Sequence, residues 1–178
     1  MPIYKSVDEL IGKTPLLELC HMEKKFDLKA KLVAKLEYFN PAGSVKDRIA
    51  KAMIDDAEKN KKLKPNSVII EATSGNTGIG LACVAAAKGY RIIIVMPETM
   101  SLERRNIIKA YGAELVLTPG NKAMKGSIKK AQQLAKQIPN SIILSQFENP
   151  ANPNVHFETT GPEIFNDTNG NVDVLWQV

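Results

Sequence analysis

The sequence lacks the features of a membrane, secreted or disulfide-linked protein. Its 178 residues contain two cysteines, and Cys20 and Cys83 have neither disulfide-framework nor metal-site spacing. No apolar run approaches the roughly 20 residues that a membrane-spanning helix needs. The N-terminus, interrupted by Lys5, Asp8 and Glu9, has no signal-peptide hydrophobic region. These absences predict a cytoplasmic protein in which both cysteines are buried thiols.

Positive charge is present but is not arranged for nucleic acid. The formal net charge is +5, and lysines cluster over 59–64 and at Lys129 and Lys130. The first cluster follows a predicted helix and complements its negative C-terminal end, while the second lies on an amphipathic helix. Neither cluster has interleaved aromatic residues for base stacking. We therefore expect no nucleic-acid partner and no membrane partner.

The histidines and serines offer no obvious metal site or catalytic triad. Cys20 and His21 are adjacent in the chain and so point in different directions, and His156 has no partner visible in the sequence. Ser74 lacks the G-x-S-x-G elbow because Ala72 occupies the position of the first glycine. We predict no metal site and interpret each of these residues as structural.

What the sequence does contain is a regular alternation of strands and helices. Strands are predicted over 67–72, 91–96, 114–117 and 142–145. One predicted helix begins at Val45 and another ends at Gly89. Two more helices are predicted over 102–111 and 125–137. Such alternation implies parallel strands with helices on both faces, so residues 44–145 are predicted to be a doubly wound α/β domain. Segment 1–43 should hold two strands, 14–19 and 31–37. Segment 146–178 should cross to a helical piece ending near Phe165.

Residues 40–48, Asn-Pro-Ala-Gly-Ser-Val-Lys-Asp-Arg, turn a loop into a helix. Ser44 and Asp47 predict a capping box, with the helix beginning at Val45. Lys46 then shares its helix face with four apolar residues: Ile49, Ala50, Met53 and Ala57. Apolar surroundings and the positive helix end both disfavour an ammonium, which would leave a nucleophilic amine able to form a Schiff base with an aldehyde cofactor. From spacing alone, the simpler interpretation is that Lys46 extends into solvent.

A second group of polar residues, 73–78, follows a predicted strand and opens a predicted helix. Unpaired backbone amides and the helix dipole favour an anion there, and Gly75 and Gly78 would allow a close approach. Four side chains add donors: Thr73, Ser74, Asn76 and Thr77. The pattern predicts a cradle for a phosphate or a carboxylate. An ordinary glycine-containing turn between strand and helix explains it equally well.

Five blocks of the sequence resemble pyridoxal-phosphate enzymes of the cysteine synthase and cystathionine beta-synthase family. They are residues 11–16, 40–48, 71–78, 97–105 and 146–150. The segment 100–105 is more similar to cysteine synthase. The resemblance implies the fold of fold-type II pyridoxal-phosphate enzymes, with 44–145 as the small domain. Segments 1–43 and 146–178 would then belong to the larger domain, and the resemblance implies a strand over 172–178.

The resemblance also implies roles for individual residues. The lysine matching Lys46 binds pyridoxal 5'-phosphate and moves a proton during catalysis. Residues matching Thr73, Ser74, Gly75, Asn76 and Thr77 hold the substrate α-carboxylate. Asn76 would also bond the cofactor ring oxygen, Gln146 would be a further carboxylate contact and Met124 would line the pocket. The implied reaction converts O-acetyl-L-serine and sulfide into L-cysteine and acetate. The implied partners are the C-terminus of serine acetyltransferase and a second copy of the chain in a homodimer.

The resemblance covers almost the whole sequence but only about half of the family's usual length. The family's phosphate-binding loop would follow residue 178, so we expect a truncated product that binds pyridoxal phosphate weakly or not at all. We also expect self-association through apolar residues of the end segments, which are Leu16, Leu17, Leu32, Val174, Leu175 and Trp176. Two alternatives stay open. One is an inactive remnant that binds anions or peptides, and the other is a cystathionine beta-synthase-like enzyme.

Overall fold

The computed structural model describes residues 3–177. Its strands are β1 (Leu16–Glu18), β2 (Val33–Lys35), β3 (Val68–Ala72), β4 (Arg91–Pro97), β5 (Glu114–Thr118) and β6 (Ser141–Ile143). Its α-helices are α1 (Cys20–Lys25), α2 (Lys46–Lys59), α3 (Asn76–Lys88), α4 (Leu102–Ala110), α5 (Ala123–Gln137), α6 (Ala151–Val155) and α7 (Gly161–Asp167). A π-helical turn, His156–Thr160, joins α6 to α7. No helix among residues 3–177 combines the length and the apolar character needed to cross a membrane.

Four parallel strands form the central sheet in the order β5-β4-β3-β6. Its strands come from the β-branched runs, because such side chains pack well on a pleated surface. In register, Val68 pairs with Arg91 of β4 and with Ser141 of β6. The doubly wound α/β prediction is therefore confirmed.

Helices cover both faces of the sheet. Alternate strand residues point to opposite faces, so Ile69 and Ile94 pack in the core with residues of α2, α3 and α4. Val68, Ile70 and Val95 pack on the other face with Ala131 of α5. Burying each large apolar side chain stabilises the domain by roughly 1.5 to 3 kcal/mol. The two layers hold the carboxyl edge of the sheet rigidly, and the loops of interest lie at that edge.

Helices α2 and α3 approach each other closely at Gly80. A Cβ added at Gly80 would lie 3.1 Å from the carbonyl oxygen of Lys46 and 3.2 Å from Cα of Asp47. Only glycine fits such an approach without a shift of one helix. The first turn of α2 is thereby pressed against the early part of α3.

The end segments depart from two expectations. The predicted strand over 172–178 is wrong for residues 172–177, which form no strand, and Val178 lies outside the described residues. Strand formation requires a neighbouring strand for the backbone groups, and none pairs with 172–177 within the described part of the chain. The strand predictions near the N-terminus hold in shortened form as the antiparallel pair β1 and β2. Cys20 is exposed, contrary to expectation, and Cys83 is buried.

Candidate active site

Lys46 is the first residue of α2, and Val45 is the N-cap. The predicted capping box has different partners from those expected. Ser44 Oγ accepts a hydrogen bond from Lys46 N at 3.2 Å, and Asp47 Oδ2 accepts one from Ala42 N at 2.6 Å. The helix begins one residue later than predicted, so the Asp47 carboxylate turns back to the loop instead of to Ser44. These bonds fix the loop that leads into Lys46.

The Lys46 side chain is half-buried. Its amine has no hydrogen-bond or ion-pair partner among residues 3–177, whereas Lys51 on the same helix is held by Asp8 and Asp55. Burial lowers the pKa of the His156 imidazole, and the positive charges of Arg48 and Lys46 lower it further.

His156, whose pKa is lowered in this way, was not among the residues predicted for the site. It lies on the π-helical turn, and its Nδ1 is 2.9 Å from Thr160 Oγ1. π-helical turns inside α-helices occur frequently at functional sites. The sequence contained no local signal, since Lys46 and His156 are 110 positions apart.

The predicted cradle lies where β3 ends and α3 begins. Gly75 is the N-cap of α3, and Thr73 and Thr77 are buried. Thr77 Oγ1 donates a hydrogen bond to Gln146 Oε1 at 2.7 Å. Ser74 contributes its carbonyl oxygen to a hydrogen bond from Arg104 at 3.3 Å. The structure therefore brings Gln146 to the cradle residues across 69 positions of sequence.

The two cradle glycines differ in their surroundings. A Cβ at Gly75 would meet no atom within 4 Å, whereas one at Gly78 would lie 2.8 Å from Cγ2 of Thr73. Gly75 therefore faces open space that a ligand can approach, and Gly78 is required by packing instead. Asn76 is exposed beside that space. Of the two predicted approach points, only Gly75 fits the role.

Met124 is half-buried in the first turn of α5. The hydrogen bond that joins Thr77 to Gln146 does not involve it. Its role in lining a pocket stays a prediction.

Two cavities lie near the candidate residues. One of about 520 Å³ lies beside α2 and α6, with Lys51, Asp55 and Val155 in its wall. Another of about 190 Å³ adjoins Gln146 and is also lined by Glu71. Neither is lined by Lys46. The candidate site is therefore described by its hydrogen-bond donors and the Lys46 amine.

Comparison with known proteins assigns the chain to a family. Residues 7–178 match the family described as pyridoxal-phosphate dependent enzymes. The chain belongs to that family. It is 59% identical over 164 residues to a probable cysteine synthase of Bacillus subtilis, covering 92% of this chain and 52% of that relative. It is 58% identical over 165 residues to a cysteine synthase of Staphylococcus aureus (strain Mu50), covering 93% of this chain and 52% of the relative. The chain thus spans about half the length of these curated relatives.

Solved structures confirm the fold-type II assignment. A cysteine synthase of Entamoeba histolytica superposes with a TM-score of 0.90 at 46% identity, covering 97% of this chain and 52% of that one. A hydrogen sulfide-producing enzyme of Fusobacterium nucleatum has the same TM-score and identity, with 96% and 56% covered. An O-ureido-L-serine synthase also matches at 0.90 and 46%, with 96% and 53% covered. Because these names differ, identity at this level does not fix the reaction.

Proposed function

We propose that this chain carries the catalytic lysine and the substrate cradle of a pyridoxal-phosphate dependent cysteine synthase. The reaction would convert O-acetyl-L-serine and sulfide into L-cysteine and acetate. The observation that supports this most directly is the bond between Thr77 and Gln146, formed beside the helix that begins with Lys46. The relatives named cysteine synthase, at 58% and 59% identity, favour this reaction within the family.

The residues present fit the cofactor. Lys46 offers an amine without a partner in the described part of the chain, and Asn76 is exposed next to the open space at Gly75. When bound, pyridoxal phosphate supplies an aldehyde for the amine and a ring that stabilises negative charge on the substrate α-carbon. Lys46 would hold the cofactor, and Asn76 would orient its ring.

The cradle would bind the amino-acid carboxylate. The Thr77 hydroxyl donates a hydrogen bond to the carbonyl oxygen of the Gln146 side chain. The NH2 group of Gln146 has no partner among residues 3–177 and can donate to a ligand. Backbone amides at the start of α3, with Thr73 and Ser74, would supply further donors. Met124 would line the pocket.

Lys46 would take the proton from the substrate α-carbon and later return it. In the complete reaction, the bond between the β-carbon and the acetate oxygen is replaced by a bond from the β-carbon to sulfur.

Reductive trapping tests the role of Lys46. Incubation with pyridoxal phosphate, borohydride reduction and peptide mapping should place the label on Lys46 even if binding is weak. The label should disappear in Lys46→Arg and persist in Lys51→Arg, whose native amine is occupied by ion pairs. Equal labelling of surface lysines, with none preferred, would contradict the proposal.

The same cradle is suited to a protein partner. A peptide C-terminal carboxylate presents the same group as an amino acid, so we propose that the C-terminus of serine acetyltransferase binds here.

We further propose a homodimer and a cytoplasmic location. The alternatives are a binding module without activity and a cystathionine beta-synthase-like enzyme. Replacing sulfide by homocysteine as the sulfur donor separates the two enzymatic reactions.

A further inference from the structure

Glu71 is a buried carboxylate without a positively charged partner. It lies in β3, two residues before Thr73, and its side chain belongs to a residue that is only 3% exposed. The ion pairs found among residues 3–177 do not include it. Burial raises its pKa, and hydrogen bonds from the backbone of residues 144–146 act in the opposite direction. A buried charge of this kind requires a full set of hydrogen bonds.

Three consecutive backbone amides supply that set. Glu71 Oε2 accepts hydrogen bonds from Leu144 N at 3.1 Å and Ser145 N at 3.0 Å. Its other oxygen, Oε1, accepts one from Gln146 N at 3.3 Å. Successive amides that converge in this way form a small anion-binding concavity, and Glu71 fills it.

The carbonyl groups of the same segment are held as well. Asn149 Nδ2 donates to Leu144 O at 2.9 Å, and Asn152 Nδ2 donates to Gln146 O at 2.8 Å. Between them, Ser145 has a φ of +56°, a left-handed conformation that is unfavourable for a residue with a side chain. The segment keeps this conformation because bonds on both sides impose it.

We propose that Glu71 is the positioning residue that sets Gln146 against Thr77 and thereby aims the Gln146 side-chain NH2 group at the carboxylate site. The assignment of a ligand to that NH2 group rests on the proposed function. The positioning itself rests on the bonds from Glu71 to Gln146 N and from Thr77 to Gln146 Oε1.

Glu71→Gln tests the positioning with a change of nearly identical shape. The glutamine carbonyl oxygen replaces Oε2 and keeps the bonds from Leu144 and Ser145, while its NH2 group then faces the N–H of Gln146. Residue-resolved amide hydrogen exchange should show Gln146 N–H exchanging about tenfold faster, with Leu144 N–H unchanged. Glu114→Gln, which alters an exposed carboxylate paired with Arg91, is the control and should change neither amide.

Ligand binding provides the second readout. L-Alanine, an amino acid without a leaving group, is titrated against the chain while cradle signals are followed by NMR. Glu71→Gln should weaken its binding about tenfold and leave reductive labelling of Lys46 by pyridoxal phosphate unchanged. Unchanged Gln146 protection, or a uniform loss of protection throughout β3 and 144–152, would overturn the proposal.

Two further outcomes separate this proposal from the proposed function. If the unmodified chain gives no response to L-alanine, the carboxylate cradle is wrong, and amide exchange still decides the role of Glu71. If Glu71→Gln does not fold, Thr77→Val takes its place. That variant should weaken L-alanine binding while Gln146 N–H stays protected. Loss of that protection would show that Thr77, not Glu71, holds the backbone.

Discussion

Three adjacent charged residues at the start of α2 occupy three different environments. Lys46 is half-buried with an unpaired amine in the described structure, Asp47 is buried with one oxygen, Oδ1, lacking a partner, and Arg48 is buried with several partners. Successive helix positions differ by about 100° around the axis, so neighbours in sequence face different surroundings. The reactive character proposed for Lys46 is therefore compatible with fully engaged residues next to it.

The cost of burying Asp47 should appear as pH-dependent stability. Burial raises the pKa of Asp47 to about 6 in the folded chain, from 3.8. Above pH 6 the folded state holds a buried carboxylate that the unfolded state ionises freely, so this group destabilises the fold. The penalty, of order 2 to 3 kcal/mol, declines as the pH falls from 6 towards 4.

Asp47→Asn should therefore stabilise the chain at pH 7.5 more than at pH 4.5. Asparagine keeps an oxygen that can accept the bond from Ala42 N, so the loop contact is retained. Urea unfolding at the two pH values measures the difference, with Asp56→Asn on the same helix as the control. An effect of equal size at both pH values would show that the Asp47 carboxylate is not penalised as proposed.

At the scale of elements, the sequence predicted those strands that depend on a local pattern of side chains. The four sheet strands were predicted to within one or two residues, because their β-branched runs pack on two covered faces. The strand over 172–178, which only the family resemblance implied, is absent from residues 172–177. Strand formation there requires a neighbouring strand, and a local pattern does not reveal that neighbour.

The candidate site divides in the same way. Contiguous motifs made Lys46 and residues 73–77 candidates, and the family resemblance gave them their predicted roles. Glu71 was missed as a site residue because its hydrogen bonds join residues 73 to 75 positions apart, and periodicity reports only on near neighbours. Gln146 and Met124 were named through family resemblance alone, without a local chemical signal.

Gly80→Ala tests the contact between α2 and α3. At an exposed helix position, alanine stabilises the helix by roughly 1 kcal/mol relative to glycine. At Gly80, however, the new methyl group would lie only 3.1 Å from the Lys46 carbonyl oxygen. Overpacking costs typically about 1 to 3 kcal/mol, so net destabilisation is expected in urea unfolding. Gly75→Ala, where a Cβ meets no atom within 4 Å, should have little effect on stability. A stabilised Gly80→Ala variant would contradict the close approach.

At the scale of the whole molecule, a buried charge network joins three parts of the chain. Arg48 contacts Glu37 at 2.8 Å and Glu163 at 2.7 Å, and Lys35 also contacts Glu163 at 2.8 Å. Burial alone would raise the pKa of Glu163, but hydrogen bonds from Arg48 and Lys35 outweigh it and hold the pKa at about 2. This carboxylate therefore stabilises the fold above its unfolded pKa, 4.5, and the contribution is lost as the pH falls towards 2.

The ion pairs of Arg48 join polar residues of segments 1–43 and 146–178 to α2. Several apolar side chains of the same two segments stay exposed. Val174, Leu175 and Trp176 are 79%, 70% and 84% exposed, and Leu17 is 49% exposed. Leu16 and Leu32, predicted to belong to the same surface, are half-buried. Neighbouring exposed apolar residues of this kind mark association surfaces in soluble proteins.

We therefore predict that the chain associates with further copies of itself through residues 174–176. Burying these side chains against another copy removes apolar area from water, which favours association at about 25 cal/mol per Å² before the entropic cost of binding is subtracted. Light scattering over a dilution series should show the apparent mass rising with concentration. The double change Leu175→Ser and Trp176→Ser should suppress that rise. Leu102→Ser, which removes a side chain that is also 70% exposed but lies on α4, should leave it unchanged. An apparent mass that stays monomeric at every concentration would exclude this surface as a contact between copies.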